Sequence, residues 1–364
     1  MNYYEKELNI IKKSNRLRER KIFDKNLIDL ASNDYLGLSV KKNLLKKTYK
    51  RLKKEKSFSP KSSMLVNGYS KIHQKFEKKL CKLNKFESGI TVGSGFLANI
   101  AMIESLIRTK DVLFIDEEYH ASGMLATKLV QGDVVVFKHN DTEDLRNKIE
   151  SLFYTPNRII IAIEGVYSMA GDVAPKEFNT IASKYNAILI VDEAHSSGVI
   201  GKNLLGWFDY YDIQPQANHI KMGTLGKAYG SYGAYILSSH NIISFLENRA
   251  KSIIYTTAPS LFDIALAHTN LKYLQKHKKK IKQKIKQNQK IVKKYLDINT
   301  KSLIVPIEIG NNKKVIEIQE ELIKKGFLMG AIRQPTVAKA ILRVIIKLDI
   351  KKKDLIKVFK YLGY

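Results

Sequence analysis

The chain has 364 residues, of which 44% are hydrophobic and 27% charged, so it is long enough for roughly two to three domains and is neither disordered nor a disulfide-stapled miniprotein. Its single cysteine, Cys81, excludes an intramolecular disulfide and a cysteine-based zinc cage, and we therefore expect a reducing, cytoplasmic location and no metal site. The formal net charge of +28 raises nucleic-acid binding as the first hypothesis, because basic surfaces attract phosphate regardless of sequence.

The first predicted element is an N-terminal arm over residues 1–45, which we expect to pack on the C-terminal part of the chain. Glu5 and Glu7 lie in this arm, where a secretory signal would be apolar. We therefore expect no targeting segment.

Between residues 85 and 240, short β-branched runs alternate with amphipathic helical stretches. The runs with the pattern of buried strands are Val112 to Ile115, Val134 to Phe137, Ile159 to Ile163, Ile188 to Val191, and His219 to Met222. Helical segments lie between them, for example 145–153 and 175–185. This alternation predicts a mostly parallel central sheet with helices on both faces, in a large α/β domain over residues 46–243. The apolar runs are far below the roughly 18 residues of a membrane helix, so we expect no membrane partner.

After residue 243 the pattern changes to lysine-rich helices followed by two strand candidates, 303–309 and 341–346. This change predicts a smaller C-terminal α+β domain over residues 244–364. The densest basic run, from Lys276 to Lys294, interleaves its lysines with apolar residues at helical spacing. Because lysines are dispersed over nearly the whole chain, solvated helix faces are favoured over a nucleic-acid partner, which stays as the alternative from another class of protein.

Polar residues follow each of four predicted strands. They are Asp116 and His120, then Glu164, Gly165 and Ser168, then Asp192 and His195, and finally Thr224, Gly226 and Lys227. Parallel sheets bind ligands outside the carboxyl ends of their strands, so these residues are expected to share one site.

The sequence from Asp192 to His195 spells the DEAH box of helicases. An NTPase of that class also needs a phosphate loop of the form G-x-x-x-x-G-K-[ST] upstream. The nearest match ends at Gly226 and Lys227, but it begins with Lys221, continues with Ala228 and lies downstream of Asp192. The spacing therefore excludes a nucleic-acid ATPase.

A cofactor other than a nucleotide, pyridoxal 5'-phosphate, would explain the polar residues that follow all four strands. Lys227 lies in a glycine-rich turn and could form a Schiff base with the aldehyde. Asp192, 35 residues earlier, could keep the pyridine nitrogen protonated and the ring electron-withdrawing. The glycine-rich helix start at residues 93–99 could bind the phosphate.

Five motifs carry a resemblance to a known family. They are Ser32-Asn33-Asp34-Tyr35-Leu36-Gly37-Leu38, Ser94-Gly95-Phe96, Glu164-Gly165-Val166-Tyr167-Ser168-Met169 with Gly171-Asp172, Asp192-Glu193-Ala194-His195 with Gly198-Val199-Ile200-Gly201, and Thr224-Leu225-Gly226-Lys227. In this order and spacing, the chain from about residue 16 to the end resembles the α-oxoamine synthases. These are fold-type I pyridoxal phosphate enzymes that condense an amino acid with an acyl thioester and release carbon dioxide. The resemblance implies a fold-type I transferase and a homodimer with its active site at the interface.

The resemblance also implies roles for the residues at the site. Lys227 would be the Schiff-base lysine and Asp192 the partner of the pyridine nitrogen. His195 would hydrogen-bond the ring oxygen, and His120 would stack on the ring face.

The phosphate would be held by the backbone amides of Gly95 and Phe96 and by the hydroxyl of Thr224. Ser168 would lie beside the ring. Thr257 resembles a hydroxyl that a neighbouring subunit contributes to the phosphate.

Arg343 fits the arginine that binds the carboxylate of the amino acid, since a planar guanidinium suits that group. The segment from Ala331 to Val337 is similar to that of members that use L-alanine and a pimeloyl thioester in biotin synthesis. Residues 59–68 correspond to a loop that is rich in glycine in members of the family. Here the loop lacks most of those glycines and carries Met64 in place of the usual basic residue. A glycine-using member, 2-amino-3-ketobutyrate ligase or 5-aminolevulinate synthase, stays as the alternative, and the acyl donor is either coenzyme A or an acyl carrier protein.

Overall fold

A computed structural model of the chain describes residues 3–364. The helices are α1 (Glu5–Lys13), α2 (Lys42–Leu52), α3 (Lys71–Asn84), α4 (Gly95–Leu106), α5 (Ala121–Ala126), α6 (Thr142–Glu150), α7 (Glu177–Lys184), α8 (Trp207–Tyr210), α9 (His240–Arg249), α10 (Lys251–Ile254), α11 (Leu261–Leu296), α12 (Asn312–Lys324) and α13 (Lys352–Tyr361). The strands are β1 (Ile28–Asp29), β2 (Ser88–Val92), β3 (Val112–Asp116), β4 (Asp133–Phe137), β5 (Ile159–Glu164), β6 (Ile188–Asp192), β7 (His219–Thr224), β8 (Ala234–Ser238), β9 (Ile304–Gly310), β10 (Phe327–Leu328), β11 (Gly330–Ile332) and β12 (Ala340–Ile345). No helix in this part of the chain has both the length and the apolar character that a bilayer crossing requires.

Seven strands form the main sheet, in the order β2-β8-β7-β6-β5-β3-β4. The strands β7, β6, β5, β3 and β4 are parallel neighbours, whereas β8 pairs antiparallel with both β7 and β2. The predicted mostly parallel sheet is therefore confirmed, and all five predicted strands belong to it. The antiparallel edge formed by β2 and β8 was not identified from the sequence.

The central strands form because their residues suit a position with helices on both faces. Every residue of β3 is buried, and so are residues 160–164 of β5. Parallel strands covered on both faces have continuous apolar runs of this kind. Each polar residue that follows such a run is therefore held at the end of a rigid strand.

The chain divides into two compact units. The larger comprises residues 36–168 and 172–283 and contains the seven-stranded sheet. The smaller comprises residues 1–35, 169–171 and 284–364. Within the smaller unit, β9, β12 and β11 form an antiparallel sheet, and β1 of the N-terminal arm pairs in parallel with β10.

These divisions differ from the expected boundaries after residues 45 and 243. The reason is that apolar residues after position 243 pack within the larger unit, and the many lysines between them hide that apolar pattern in the sequence. Ile243 and Leu246 of α9 and Ile253 of α10 belong to the same buried cluster as the apolar residues of α4. The segment from 244 to 283 therefore packs with the large sheet, and α11 continues from one unit into the other.

Candidate active site

A cavity of about 200 Å³ opens in the larger unit, at the carboxyl ends of β5, β6 and β7 and at the start of α4. The residues that line it are Gly95, Phe96, Asn99, His120, Glu164, Asp192, Ala194, His195, Met222, Thr224 and Lys227. Seven residues expected at the site from the sequence are therefore brought together here: Gly95, Phe96, His120, Asp192, His195, Thr224 and Lys227.

The start of α4 provides backbone donors to the cavity. Ser94 caps this helix, since its Oγ accepts from the N–H of Leu97 at 3.2 Å. The N–H groups of Gly95 and Phe96 lie in the first turn, where a helix offers no internal acceptor. Together with the helix dipole, these donors form a suitable site for a phosphate group.

Lys227 lies in the turn between β7 and β8, and its Nζ is 2.6 Å from Nε2 of His195. The turn is closed by two backbone hydrogen bonds that join Leu225 to Gly233 and Ser231 to Leu225. The two nitrogens are close enough to share a proton. This arrangement gives the lysine amine a proton partner inside the cavity.

Asp192 ends β6 and is buried, with both carboxylate oxygens held by donors. Its Oδ1 accepts from the N–H of Ala194 at 2.9 Å, and its Oδ2 accepts from Nδ2 of Asn99 at 3.0 Å. A carboxylate has about four acceptor positions, so it can accept a further donor from a ligand. Asn99 was assigned no role from the sequence, although a polar residue within the apolar stretch 96–103 of α4, four residues after Gly95, was the available signal.

His120 precedes α5 and is held by Ser122. Its Nδ1 accepts from the N–H of Ser122 at 3.2 Å and lies 2.7 Å from the Ser122 hydroxyl. Burial lowers the pKa of His120, the charge of Lys227 acts in the same direction, and Asp192 opposes them. The ring is therefore neutral at pH 7, with its proton on Nε2 because Nδ1 is an acceptor.

Glu164 is a further lining residue, which the sequence placed among the strand-end residues of the site without giving it a chemical role. Only 2% of it is exposed, and its Oε1 has no hydrogen-bond partner among residues 3–364. Burial raises its pKa well above the usual range, Asp192 adds to this effect, and Lys227 opposes it. Glu164 is thus a buried carboxyl that lines the cavity and whose protonated form is favoured.

Three of the expected residues are not among those that line the cavity in the described part of the chain. Ser168 is buried, four residues beyond the end of β5. Thr257 is exposed, between α10 and α11. Arg343 lies on β12 in the smaller unit, where its Nη1 donates to Oδ1 of Asn33 at 3.0 Å.

The lining residues fit pyridoxal phosphate. The first turn of α4 suits the phosphate, and the Asp192 carboxylate suits a protonated ring nitrogen. Lys227 supplies an amine for an aldehyde. The buried Oε1 of Glu164 offers a polar atom that the surrounding protein leaves unpaired.

The chain is similar to known proteins along nearly its whole length. The chain matches the aminotransferase class I and II family over residues 25–356. It is 47% identical over 354 residues to 8-amino-7-oxononanoate synthase of Helicobacter pylori, an alignment that covers 96% of this chain and 94% of the relative.

The fold of the chain is also similar to that of solved structures. The 8-amino-7-oxononanoate synthase of Francisella tularensis is 27% identical with a TM-score of 0.76, covering 93% of this chain and 97% of the other. Serine palmitoyltransferase of Sphingomonas wittichii is 22% identical with a TM-score of 0.90, covering 99% and 97% respectively. The predicted fold-type I transferase architecture is thus confirmed, and the chain belongs to the aminotransferase class I and II family.

Proposed function

We propose that the chain is a pyridoxal phosphate-dependent acyltransferase that condenses L-alanine with a pimeloyl thioester to give 8-amino-7-oxononanoate for biotin synthesis. The observation that carries this proposal is the meeting of Lys227, Asp192, His195 and His120 in one cavity, in a chain so similar to the Helicobacter pylori synthase. In the overall reaction, a bond forms between the alanine Cα and the acyl carbonyl carbon, and the thiol leaves. The bond from Cα to the carboxylate then breaks, carbon dioxide leaves and a proton takes its place.

The residues of the cavity hold the cofactor at both ends. When bound, pyridoxal phosphate supplies an aldehyde that condenses with amines and a protonated ring that withdraws electrons from the attached carbon. The amides of Gly95 and Phe96, with the Thr224 hydroxyl, bind the phosphate. Asp192 keeps the proton on the ring nitrogen, because its two fixed oxygens leave one acceptor position on each for this donor.

Lys227 moves the proton at the alanine Cα. Its Nζ would accept that proton and return one after carbon dioxide has left. His195 lies 2.6 Å away and donates to the ring oxygen or exchanges a proton with Nζ. His120 is neutral and would stack on the face of the ring, and Ser168 would lie beside the ring.

Substrate binding is assigned to residues that do not line the cavity. Arg343 would bind the alanine carboxylate with a guanidinium that Asn33 orients. Exposed Thr257 would reach the phosphate of a neighbouring subunit, so that the working form is a homodimer. The acyl donor is coenzyme A or an acyl carrier protein, and the location is the cytoplasm.

The test supplies purified protein, loaded with pyridoxal phosphate, with pimeloyl coenzyme A and either L-alanine or glycine. We expect the mass of 8-amino-7-oxononanoate with alanine, and at least about a thousandfold slower turnover in Lys227→Ala than in wild type. Exposed Lys286→Ala on α11 is the matched control and should stay within about twofold. Faster turnover with glycine would favour the glycine-using alternative, and normal turnover by Lys227→Ala would overturn the proposal.

A further inference from the structure

We propose that Asn99 is a positioning residue, whose amide bridges Asp192 and Ser122 and so fixes both the carboxylate at the ring nitrogen and the imidazole of His120. The inference rests on the proposed function of this cavity as a pyridoxal phosphate site. Tyr119 completes the bridge by setting the direction of the amide.

The Asn99 side chain is almost fully buried and uses both ends of its amide. Its Nδ2 donates to Oδ2 of Asp192 and to Oγ of Ser122, both at 3.0 Å. Its Oδ1 accepts from the hydroxyl of Tyr119 at 2.8 Å. A reversed amide would turn its oxygen towards the Asp192 carboxylate, so that a hydrogen bond would be replaced by repulsion between two acceptors, and a single orientation is therefore selected.

Tyr119 is suited to hold that orientation because it keeps its proton. Burial raises its pKa well above the usual value, and the neighbouring Asp192 and Glu164 add to the effect. The ring is also fixed in place, since a Cβ on Gly123 would come within 2.2 Å of Tyr119 Cε1. The phenol is therefore a permanent donor to Oδ1 of Asn99.

The direction of each hydrogen bond follows from that donor. Ser122 Oγ accepts from Asn99, so its own proton points to Nδ1 of His120 at 2.7 Å. The proton of His120 is consequently on Nε2. One amide thus sets the position of the carboxylate and the tautomer of the imidazole, although these groups belong to β6 and to the turn after β3.

The test measures cofactor affinity of the apoprotein by titration with pyridoxal phosphate, together with the visible circular dichroism of the bound cofactor. Asn99→Leu keeps the volume but removes the bridge, and we expect about tenfold weaker binding and a circular dichroism signal reduced to about half per bound cofactor. Tyr119→Phe should weaken binding about threefold. The titratable groups around Asp192 are Glu164, His120, His195, Lys227 and Tyr119. Every binding titration is therefore run at one pH.

A double variant separates a bridge from ordinary packing. If Tyr119 acts through Asn99, Tyr119→Phe causes no further loss of cofactor affinity in the Asn99→Leu background. If the two changes act independently, their losses of affinity add. Asn218→Ala is the matched control, because it removes an amide that donates to the Ala187 carbonyl at 2.7 Å and does not line the cavity. It should keep wild-type affinity and circular dichroism.

Wild-type affinity and circular dichroism in Asn99→Leu, or additive losses in the double variant, would overturn the inference. Should Asn99→Leu fail to fold, Tyr119→Phe carries the test, since it removes a single oxygen, and wild-type binding by that variant is the contrary result. A wild-type chain that binds pyridoxal phosphate yet does not convert alanine contradicts the proposed function alone.

Discussion

Glu164 and Asp192 lie opposite each other at the ends of the adjacent parallel strands β5 and β6, and both line the same cavity. They are not equivalent. Asp192 receives two hydrogen bonds from Ala194 and Asn99, whereas Oε1 of Glu164 receives none from the described residues. Burial and the neighbouring Asp192 carboxylate both raise the pKa of Glu164, so its protonated form is favoured.

The first prediction concerns the stability cost of that buried acid. The folded-state pKa of Glu164 is raised, so folding becomes less favourable as pH rises above the unfolded value of about 4.3. Glu164→Gln mimics the protonated form and should raise the melting temperature of the apoprotein at about pH 8 by roughly 2 °C or more. Thermal unfolding at about pH 5 should show a smaller gain. Equal gains at both pH values would mean that Glu164 is ionised in the folded chain.

Asp192→Asn should retain cofactor but lose at least about a hundredfold in turnover, since a neutral amide cannot keep a proton on the ring nitrogen. Cofactor content is measured by absorbance and turnover by product mass. Asp209→Asn, at a carboxylate that binds the backbone N–H groups of Asn203 and Leu205 away from the cavity, controls for general damage. Wild-type turnover by Asp192→Asn would show that another group holds the ring nitrogen.

His139 provides a prediction about pH and folding. Burial acts to lower its pKa, but its hydrogen bonds to Asp116 and Asp172, at 3.0 and 2.9 Å, outweigh burial and raise it to about 10. This stabilisation is fully present below the unfolded pKa of about 6.5 and is lost as pH rises towards 10.

Replacement by His139→Gln should therefore cost about 2 kcal/mol at pH values near 6, allowing for solvent screening at Asp172, and much less near pH 10. Denaturant unfolding at both pH values measures the difference. Exposed His240→Gln is the control. A cost independent of pH would mean that packing rather than charge explains the effect.

Much of the site could be predicted from the sequence because its residues follow strongly patterned strands. Runs such as Ile159 to Ile163 can be recognised as buried strands, and the carboxyl ends of parallel strands share one edge of the sheet. The placement of Lys227 and Asp192 in one cavity follows from that rule alone. Their chemical roles came from residue types and from the family resemblance.

The remaining features depend on tertiary neighbours that local patterns do not reveal. The strand β2 begins with Ser88 and Gly89, and β8 directly follows a glycine-rich turn, so neither has a clearly bounded strand pattern. Asn99 is the one polar residue within the apolar stretch 96–103 of α4, and its importance appears only when Tyr119 and Asp192 are seen beside it. The raised pKa of Glu164 comes first from its burial and then from Asp192, its register neighbour, and neither is visible in the local sequence.

The last prediction concerns the net charge of +28. If an acyl carrier protein delivers the pimeloyl group, the basic surface should speed the encounter, because carrier proteins are acidic and long-range attraction raises association rates. Added salt shortens the Debye length from about 30 Å at 0.01 M to about 8 Å at 0.15 M, so this attraction should fade over that range. We expect kcat/KM for the carrier-bound substrate to fall steeply with salt, and kcat/KM for pimeloyl coenzyme A, which has fewer charges, to fall less. Equal slopes for the two donors would show that the lysine excess has no part in substrate delivery, and removing lysines far from the cavity should then alter solubility and little else.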